Sequence, residues 1–526
     1  MSFKLRFRNG ECISQQLAVD LGISEGDCVD PIIFDFCREA AFSSTDVGEF
    51  ASWYLRSEAL RKFDDGDPSS DARKTSEAFA KFKQAEEACG VANQWLVGWE
   101  MYTRFSLDVW RRARAICHSI LGTRVPWDEL PHGCSFGPGA SLGLPRRKAS
   151  HANKWEFSSH ITDAALPYYE AFRRWSNIDL PVELSIVDGN RVTTVPKSWK
   201  THRTIAIEPD WNAFLQRGVG VAIRRRLRKI GLLKPDAQKT HQELAQLGSA
   251  TGFLATLDLS MASDSVSLAL CEALLPTEWF KWIVDLRSPR GYMTGGEVVD
   301  YAKVSSMGNG FTFELETLLF YCLVSACFDK GDRAYISVYG DDIICPARKA
   351  ERVMEILAEA GFSLNRDKSF WKGPFRESCG GHYWRGTDVT PFYLDGHPER
   401  FGDAINLHNK MLVWNERFEA ITDLSFERTI RKVYGRVPRS LRGPRGMDGC
   451  LWAPWDRCTP EWSKRYQHYR VGTVRTVRWE KYVGGVWGAV LQKLWVEEPE
   501  AEISWSDKGA SFEVFSNSIA YRDQWD

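Results

Sequence analysis

The sequence predicts an α+β fold, with a small antiparallel sheet backed by helices on one face. Three observations lead there. Between residues 253 and 360, short apolar runs of strand length and longer helix-like segments follow one another in the order β-α, α, β-β, α. Two β-type runs, ISV and IIC, flank the tetrapeptide Tyr339-Gly340-Asp341-Asp342, which has the length and composition of a hairpin turn. Residues 311–328 are apolar almost without interruption, the pattern of a helix buried all round.

The elements follow in chain order. Residues 1 to about 130 alternate helix-like stretches with acidic, Ser-rich turns such as 64–71. The stretch SFGPGASLGLPRRK, 135–148, reads as a loop with a basic end at a subdomain edge. Residues 192–207 switch to short β-type runs, and 214–233 form a helix carrying Arg224, Arg225, Arg226, Arg228 and Lys229. FLATLDL, 253–259, is a buried strand. A helix follows over 264–275, capped by Ser263 or Asp264. Beyond the apolar helix, strands at 335–338 and 343–345 surround the hairpin turn, with a helix over 348–360 behind them. From about residue 400 onward the chain is rich in arginine and tryptophan.

Composition narrows the class. A chain of 526 residues exceeds one ordinary core, and its 44% hydrophobic and 26% charged residues exclude intrinsic disorder. Mean hydropathy is −0.34. The net charge is −1, so any contact with nucleic acid has to rest on local basic clusters. Thirteen cysteines are scattered without a C-x-x-C pair, which fits a reducing compartment rather than a disulfide framework. The N-terminus lacks the apolar core of a secretory signal. The apolar stretch 318–328 is far shorter than the roughly 20 residues that span a bilayer. A cytoplasmic protein without a membrane partner is expected.

The carboxylates carry the chemistry. A turn at Gly340-Asp341 would present Asp341 and Asp342 at the tip of a rigid hairpin. Two metal ions about 3.5–4 Å apart can activate a hydroxyl and neutralise a leaving pyrophosphate, and Mg²⁺ prefers carboxylate and phosphate oxygens for this. Asp258, at the end of the FLATLDL strand, is the third carboxylate; a charge there is costly unless paired or metal-bound. If that strand neighbours the hairpin, Asp258 faces Asp341. Asp264 caps the next helix, hydrogen-bonds a ribose hydroxyl, or does both. In SSMGNG, 305–310, the glycines permit close backbone approach to a ligand, and Asn309 either starts a helix or joins Asp264 at the 2′-OH.

The motifs DLSMASDS, SSMGNGFTFELE, VYGDD, GFSLNRDKSF and FRESCGGHYWRGTDVTPFY, preceded by VPKSWKTHRTIAIEPDWN, stand in an order that resembles the replicase β-subunits of the RNA bacteriophages, the leviviruses. The resemblance covers roughly residues 195–396. It implies an RNA-directed RNA polymerase shaped as a right hand. The N-terminal region 1–190 would contribute to the fingers, and 191–252 would be a fingers segment with a basic NTP-binding motif. Residues 253–400 would form the palm and 401–526 the thumb and C-terminal region. It makes Asp258 and Asp341 the main Mg²⁺ ligands and Asp342 an auxiliary one, with two ions bound and Mn²⁺ a substitute. Asp264 and Asn309 would select ribonucleotides, and Lys197, Lys200 and Arg203 would offset the charge of the incoming NTP. Lys368 would be the general acid for the departing pyrophosphate, or else a surface lysine. Gly381 departs from the family pattern, where a larger, often basic residue is expected. The resemblance also implies an RNA template and product, initiation without a primer, and usually GTP as the first nucleotide. It further implies assembly with the host elongation factors Tu and Ts and a small-subunit ribosomal protein, in the cytoplasm of an infected bacterium.

Basic and aromatic clusters add two readings. The Arg224 to Lys229 run contacts a template backbone or is in part a solvated face. Trp452, Trp455, Trp462, Trp479 and Trp487 interleave with arginines and either stack on bases or pack. A reverse transcriptase and a non-catalytic RNA-binding scaffold are the rival readings. Asp264 with Asn309 speaks against the first, and the complete carboxylate set against the second.

Overall fold

A computed structural model describes residues 3–4, 13–22, 28–29, 31–63, 68–97, 106–176, 180, 183–198, 201–418, 420–465, 467–479, 503–504, 510–520 and 522–525. Lys200 and Trp487 lie outside the described residues. The chain divides into two compact units, residues 68–390 and residues 1–67 with 391–526. These breaks differ from the boundaries expected at 190, 252 and 400, because the N-terminal helices are tied to the C-terminal segment. Asp20 accepts hydrogen bonds from the Thr429 N–H and hydroxyl at 3.2 and 2.7 Å, and Leu394 N–H bonds to the Ala59 carbonyl at 2.8 Å.

The 68–390 unit is built around a three-stranded antiparallel sheet. Asp342–Pro346 lies in its centre, between Ser337–Tyr339 and Leu254–Leu257. Tyr339 pairs with Asp342, so the turn has the two residues expected of it. Behind the sheet runs the Thr312–Ala326 helix, with thirteen of its fifteen residues buried. Its leucines and phenylalanines cover every side, and a helix apolar all round has to be a core helix. The Ala350–Glu359 helix instead buries one face, through Ala350, Val353, Ile356 and Leu357. Among the described residues no helix is long and apolar enough to cross a membrane, and no cysteine forms a disulfide.

A second sheet pairs Asn190–Pro196 with His202–Ile207 and continues through Arg290–Met293 to Val298–Asp300. The loop preceding the buried helix docks on it, with Ala206 N–H donating to the Met307 carbonyl at 2.8 Å. A third sheet contains the hairpin of Phe375–Ser378 and Gly381–Trp384. Arg376, 1% exposed, anchors this hairpin to the first sheet by donating to the Leu254 carbonyl at 2.6 Å.

Two expectations need correction. The helix after Asp258 begins at Leu268, and its cap is Ser267, which accepts from Leu270 N–H; neither Ser263 nor Asp264 caps it. Residues Ala262–Asp264 form a separate 3-10 turn, and Val304 N–H bonds to the Val266 carbonyl at 2.8 Å, so the α-helix starts later. The arginine run on the Asp210–Lys229 helix is largely engaged within the protein. Arg224 pairs with Glu314 at 2.6 Å, Arg226 with Glu129 at 3.1 Å, and Arg228 donates to the Leu233 carbonyl at 2.9 Å.

The other unit combines the Phe401–Phe418 and Glu427–Arg436 helices with a four-stranded sheet centred on His468–Trp479 and Ala510–Ala520. Among its described side chains the tryptophans mostly pack. Trp452 donates its indole N–H to the Met447 carbonyl at 2.9 Å, and Trp455 meets Tyr469 and Trp525 edge-on. Trp462 is 48% exposed.

Candidate active site

The hairpin tip is held from below. Gly340 takes φ +62°, and a Cβ there would stand 2.7 Å from the Phe313 ring, so only glycine fits. Its N–H donates to Thr317 Oγ at 2.9 Å, which fastens the tip to the buried helix. Asp341 is the exposed residue of the turn, and Asp342 points back toward the neighbouring hairpin. There Asp342 Oδ2 accepts the Cys379 N–H at 3.3 Å and the thiol at 3.5 Å.

Asp258 follows the last paired residue of its strand. Leu257 lies opposite Ile343, so one step further Asp258 stands across from Asp342 rather than Asp341. Its Oδ2 accepts from the Asn365 amide at 2.7 Å, and its N–H donates to Ser369 Oγ at 3.0 Å. Burial pushes the Asp258 carboxyl up to about 6, with the Asp341 charge adding to it and the Lys368 charge opposing it. Burial, then Asp341 and Asp258, push Asp342 up to about 7. These two carboxyls have folded pKa values above the unfolded value of about 4. The folded state then binds the extra protons, so their contribution to stability falls as pH rises from about 4 to about 7. In EDTA, Asp342→Asn should therefore gain melting temperature relative to wild type between about pH 5 and pH 8. A pH-independent difference would contradict the burial of this carboxylate.

Cations converge on the same place. Lys197, just past the end of its strand, lies within electrostatic reach of Asp258, Asp341, Arg203 and Lys368. Desolvation, then the Arg203 and Lys368 charges, pull the Lys197 ammonium below its ordinary range. Arg203 is exposed on the partner strand, where it pairs in register with Val195. Lys368 is not a remote surface lysine: its Nζ lies 3.6 Å from Glu377 Oε1, and its charge acts on Asp258.

The remaining expected residues sit deeper. Asp264 is 4% exposed and paired with Lys303 at 3.0 Å. Asn309 accepts the Phe311 N–H through Oδ1 at 3.0 Å, whereas its amide nitrogen and the Ser305 and Ser306 hydroxyls are buried with no hydrogen-bond partner among the described residues. Such groups are costly unless a ligand satisfies them. At Gly381 a Cβ would stand 2.8 Å from Gln242, so the space of the expected larger side chain is filled by neighbours.

Sequence reasoning missed Glu316, Glu377 and Asn365. Glu316 is buried on the apolar helix, and burial pushes its carboxyl up to about 8, with Asp341 and Asp264 both adding to the shift. The signal was available: a carboxylate inside an apolar run needs a reason. Nothing in the local sequence marks Glu377 or Asn365.

The profile of the family described as "RNA replicase, beta-chain" matches residues 11–502. The chain belongs to that family. The β subunit of the RNA-directed RNA polymerase of Enterobacteria phage SP is 40% identical over 425 residues, 78% of this chain and 73% of that one. The corresponding subunit of Escherichia virus Qbeta is 40% identical over 372 residues, 70% and 62% of the two chains. The β chain of Escherichia phage MS2 is 37% identical over 376 residues, 69% and 68%. A solved BmCPV RNA-dependent RNA polymerase covers 81% of this chain and 37% of that one at 12% identity and TM-score 0.34, too loosely to bear on individual residues. This replicase β-chain is thus an RNA-directed RNA polymerase, a nucleotidyltransferase that acts on RNA and NTPs. The three-stranded sheet with its carboxylate turn is the expected α+β centre.

Proposed function

We propose that this replicase β-chain extends RNA at the Asp258–Asp341–Asp342 cluster by attack of a 3′-OH on the α-phosphate of an NTP, with two Mg²⁺ ions or Mn²⁺ in their place. The observation that carries the reading is the convergence of three carboxylates from two strands with Lys197 and Lys368 beside them. Carboxylates that raise one another's pKa form a site of concentrated negative charge, which fits a divalent cation. Among the described residues no three acidic, histidine or cysteine side chains form a ready-made metal cage. Mg²⁺ held by one or two carboxylates plus substrate phosphates needs none. Bound there, the ions would supply Lewis-acid activation of the attacking hydroxyl and charge neutralisation of the phosphates.

The chain's own residues supply the rest. Lys197 and Arg203, with Lys200, balance the triphosphate. Lys368 gives a proton to the pyrophosphate as it leaves, and Glu377 and Asp258 hold it in place. Asp264 and Asn309 choose the ribose. Fingers, palm and thumb correspond to the segments divided at 190, 252 and 400. Initiation without a primer, GTP as first nucleotide, assembly with the elongation factors Tu and Ts and a small-subunit ribosomal protein, and action in the cytoplasm of the infected host belong to the same proposal. The word "subunit" in the names of the relatives supports the assembly.

The test is labelled-NTP incorporation on a C-rich 3′-ended RNA without primer, with and without a host extract. Template-length product is expected, and its absence from both tubes would overturn the reading of initiation. Chelation with EDTA should abolish synthesis and Mg²⁺ restore it. Mg²⁺ should also raise the melting temperature of wild type but not of Asp258→Asn. An equal rise in both would place the metal elsewhere.

A further inference from the structure

The chain carries a fully buried ammonium that the reaction as proposed above does not use. Lys303 is 0% exposed, and its Nζ lies 3.0 Å from Asp264 Oδ1 and 3.3 Å from Glu86 Oε2. The same ammonium sits 3.5 Å from the Phe82 ring centroid. Glu86, on the Pro68–Leu96 helix, also accepts the Ala302 N–H and, at 3.2 Å, the Lys303 N–H. From the other side, Arg287 donates to the Lys303 carbonyl at 2.9 Å. Ser267 bridges to Lys303 within the extended segment that follows Asp264, and the Cys89 thiol donates to the Asp264 carbonyl at 3.4 Å. Lys303 is thereby fixed at both ends, and Asp264 with it.

A buried ion pair is weak support for stability, because desolvation of the charges offsets most of their attraction; its better-attested use is to impose one geometry. Here the geometry is specific. Lys303 takes Oδ1 of Asp264, and Oδ2 has no donor among the described residues. A carboxylate with one oxygen held and the other open offers one acceptor to a hydroxyl. Lys303 itself lies two residues before Ser305, where the loop with the unpartnered Ser305, Ser306 and Asn309 groups begins.

We propose that Lys303 is a positioning residue for ribonucleotide choice, holding Asp264 oriented so that one oxygen is presented to the 2′-OH. This rests on the reading of Asp264 as a sugar-selecting residue. A site built to bond a hydroxyl rejects the analogue that lacks it, because the acceptor is then left unpaired. Removing the ammonium leaves Asp264 free to turn away, and the bond that favours the ribose over its deoxy analogue is lost.

The experiment is single-nucleotide extension of an annealed RNA primer by the full-length chain, with the host extract present, comparing kcat/KM for ATP and dATP. Lys303→Met should lower the ATP-to-dATP ratio by about tenfold or more. The loss should fall on ATP, with dATP little changed. A structural role alone would lower both substrates together, and that result overturns the proposal. The Asp264→Ala/Lys303→Met double variant should match Asp264→Ala, since two residues acting through one contact are not additive. If Asp264→Ala leaves the ratio unchanged, the reading of Asp264 falls. If Asp264→Ala lowers it and Lys303→Met does not, the positioning role alone falls. Should Lys303→Met fail to fold, Lys303→Gln reads the same linkage with a polar side chain: the ATP-to-dATP ratio should again fall through ATP alone, and an unchanged ratio in the folded variant overturns the proposal.

Discussion

Asp341→Asn should reduce labelled-NTP incorporation by about a thousandfold or more, since a metal ligand contributes several kcal/mol of transition-state charge stabilisation and each 1.36 kcal/mol is about tenfold in rate. Asp258→Asn should match it. Asp342→Asn should lose less, about ten- to a hundredfold, because its carboxylate turns toward Cys379 and supports the site from behind. The three variants should fold. In the absence of metal, each removes one charge from a like-charged cluster, so melting temperatures hold or rise above neutral pH. Asp341→Asn with more than a tenth of wild-type activity would sink the assignment, and the loss of folding in all three would locate the effect in structure rather than chemistry.

Gly308→Ala is the second large effect. Gly308 takes φ +116°, and an added Cβ would stand 2.1 Å from the Ala206 carbonyl oxygen. A strained backbone of this kind costs about 1–3 kcal/mol, and a methyl group driven into a rigid strand carbonyl adds to it. The 305–310 loop therefore has to leave the His202–Ile207 strand, which breaks the Ala206 to Met307 hydrogen bond and displaces Ser306 and Asn309. A loss of about 3 kcal/mol in stability and a raised KM for NTP are expected. Gly331→Ala, with open space and ordinary φ, serves as control and should stay within about 0.5 kcal/mol. Equal behaviour of the two variants would show that the loop does not depend on this close approach.

Much of the centre was legible in the chain. The ISV and IIC runs around Gly340-Asp341 specify a two-residue hairpin because alternation and turn chemistry are local properties. The Thr312–Ala326 helix was visible for the same reason: an uninterrupted apolar run has one soluble solution, which is burial. Asp258 announced itself as a charge at the end of an apolar strand. The start of the next helix did not, because Ser263, Asp264 and Ser267 are all good caps. Which one serves depends on the backbone pairing of Val266 with Val304. The Arg224 to Lys229 run looked free in one dimension, and only the fold supplied Glu314 and Glu129 as its partners.

The sequence by itself determined the strands, the buried helix, the carboxylate turn and, through the order of its motifs, the family. These depend on short-range periodicity and on residue types that chemistry requires at fixed spacing. Only the tertiary structure decided that Lys197 and Lys368 flank Asp258, that Asp342 is tied to Cys379, and that Lys303 from beyond the second sheet closes on Asp264 and Glu86. The physical reason is range. A buried charge must find its counter-charge in space, within a few ångströms, and the sequence separation of the two partners leaves no local trace.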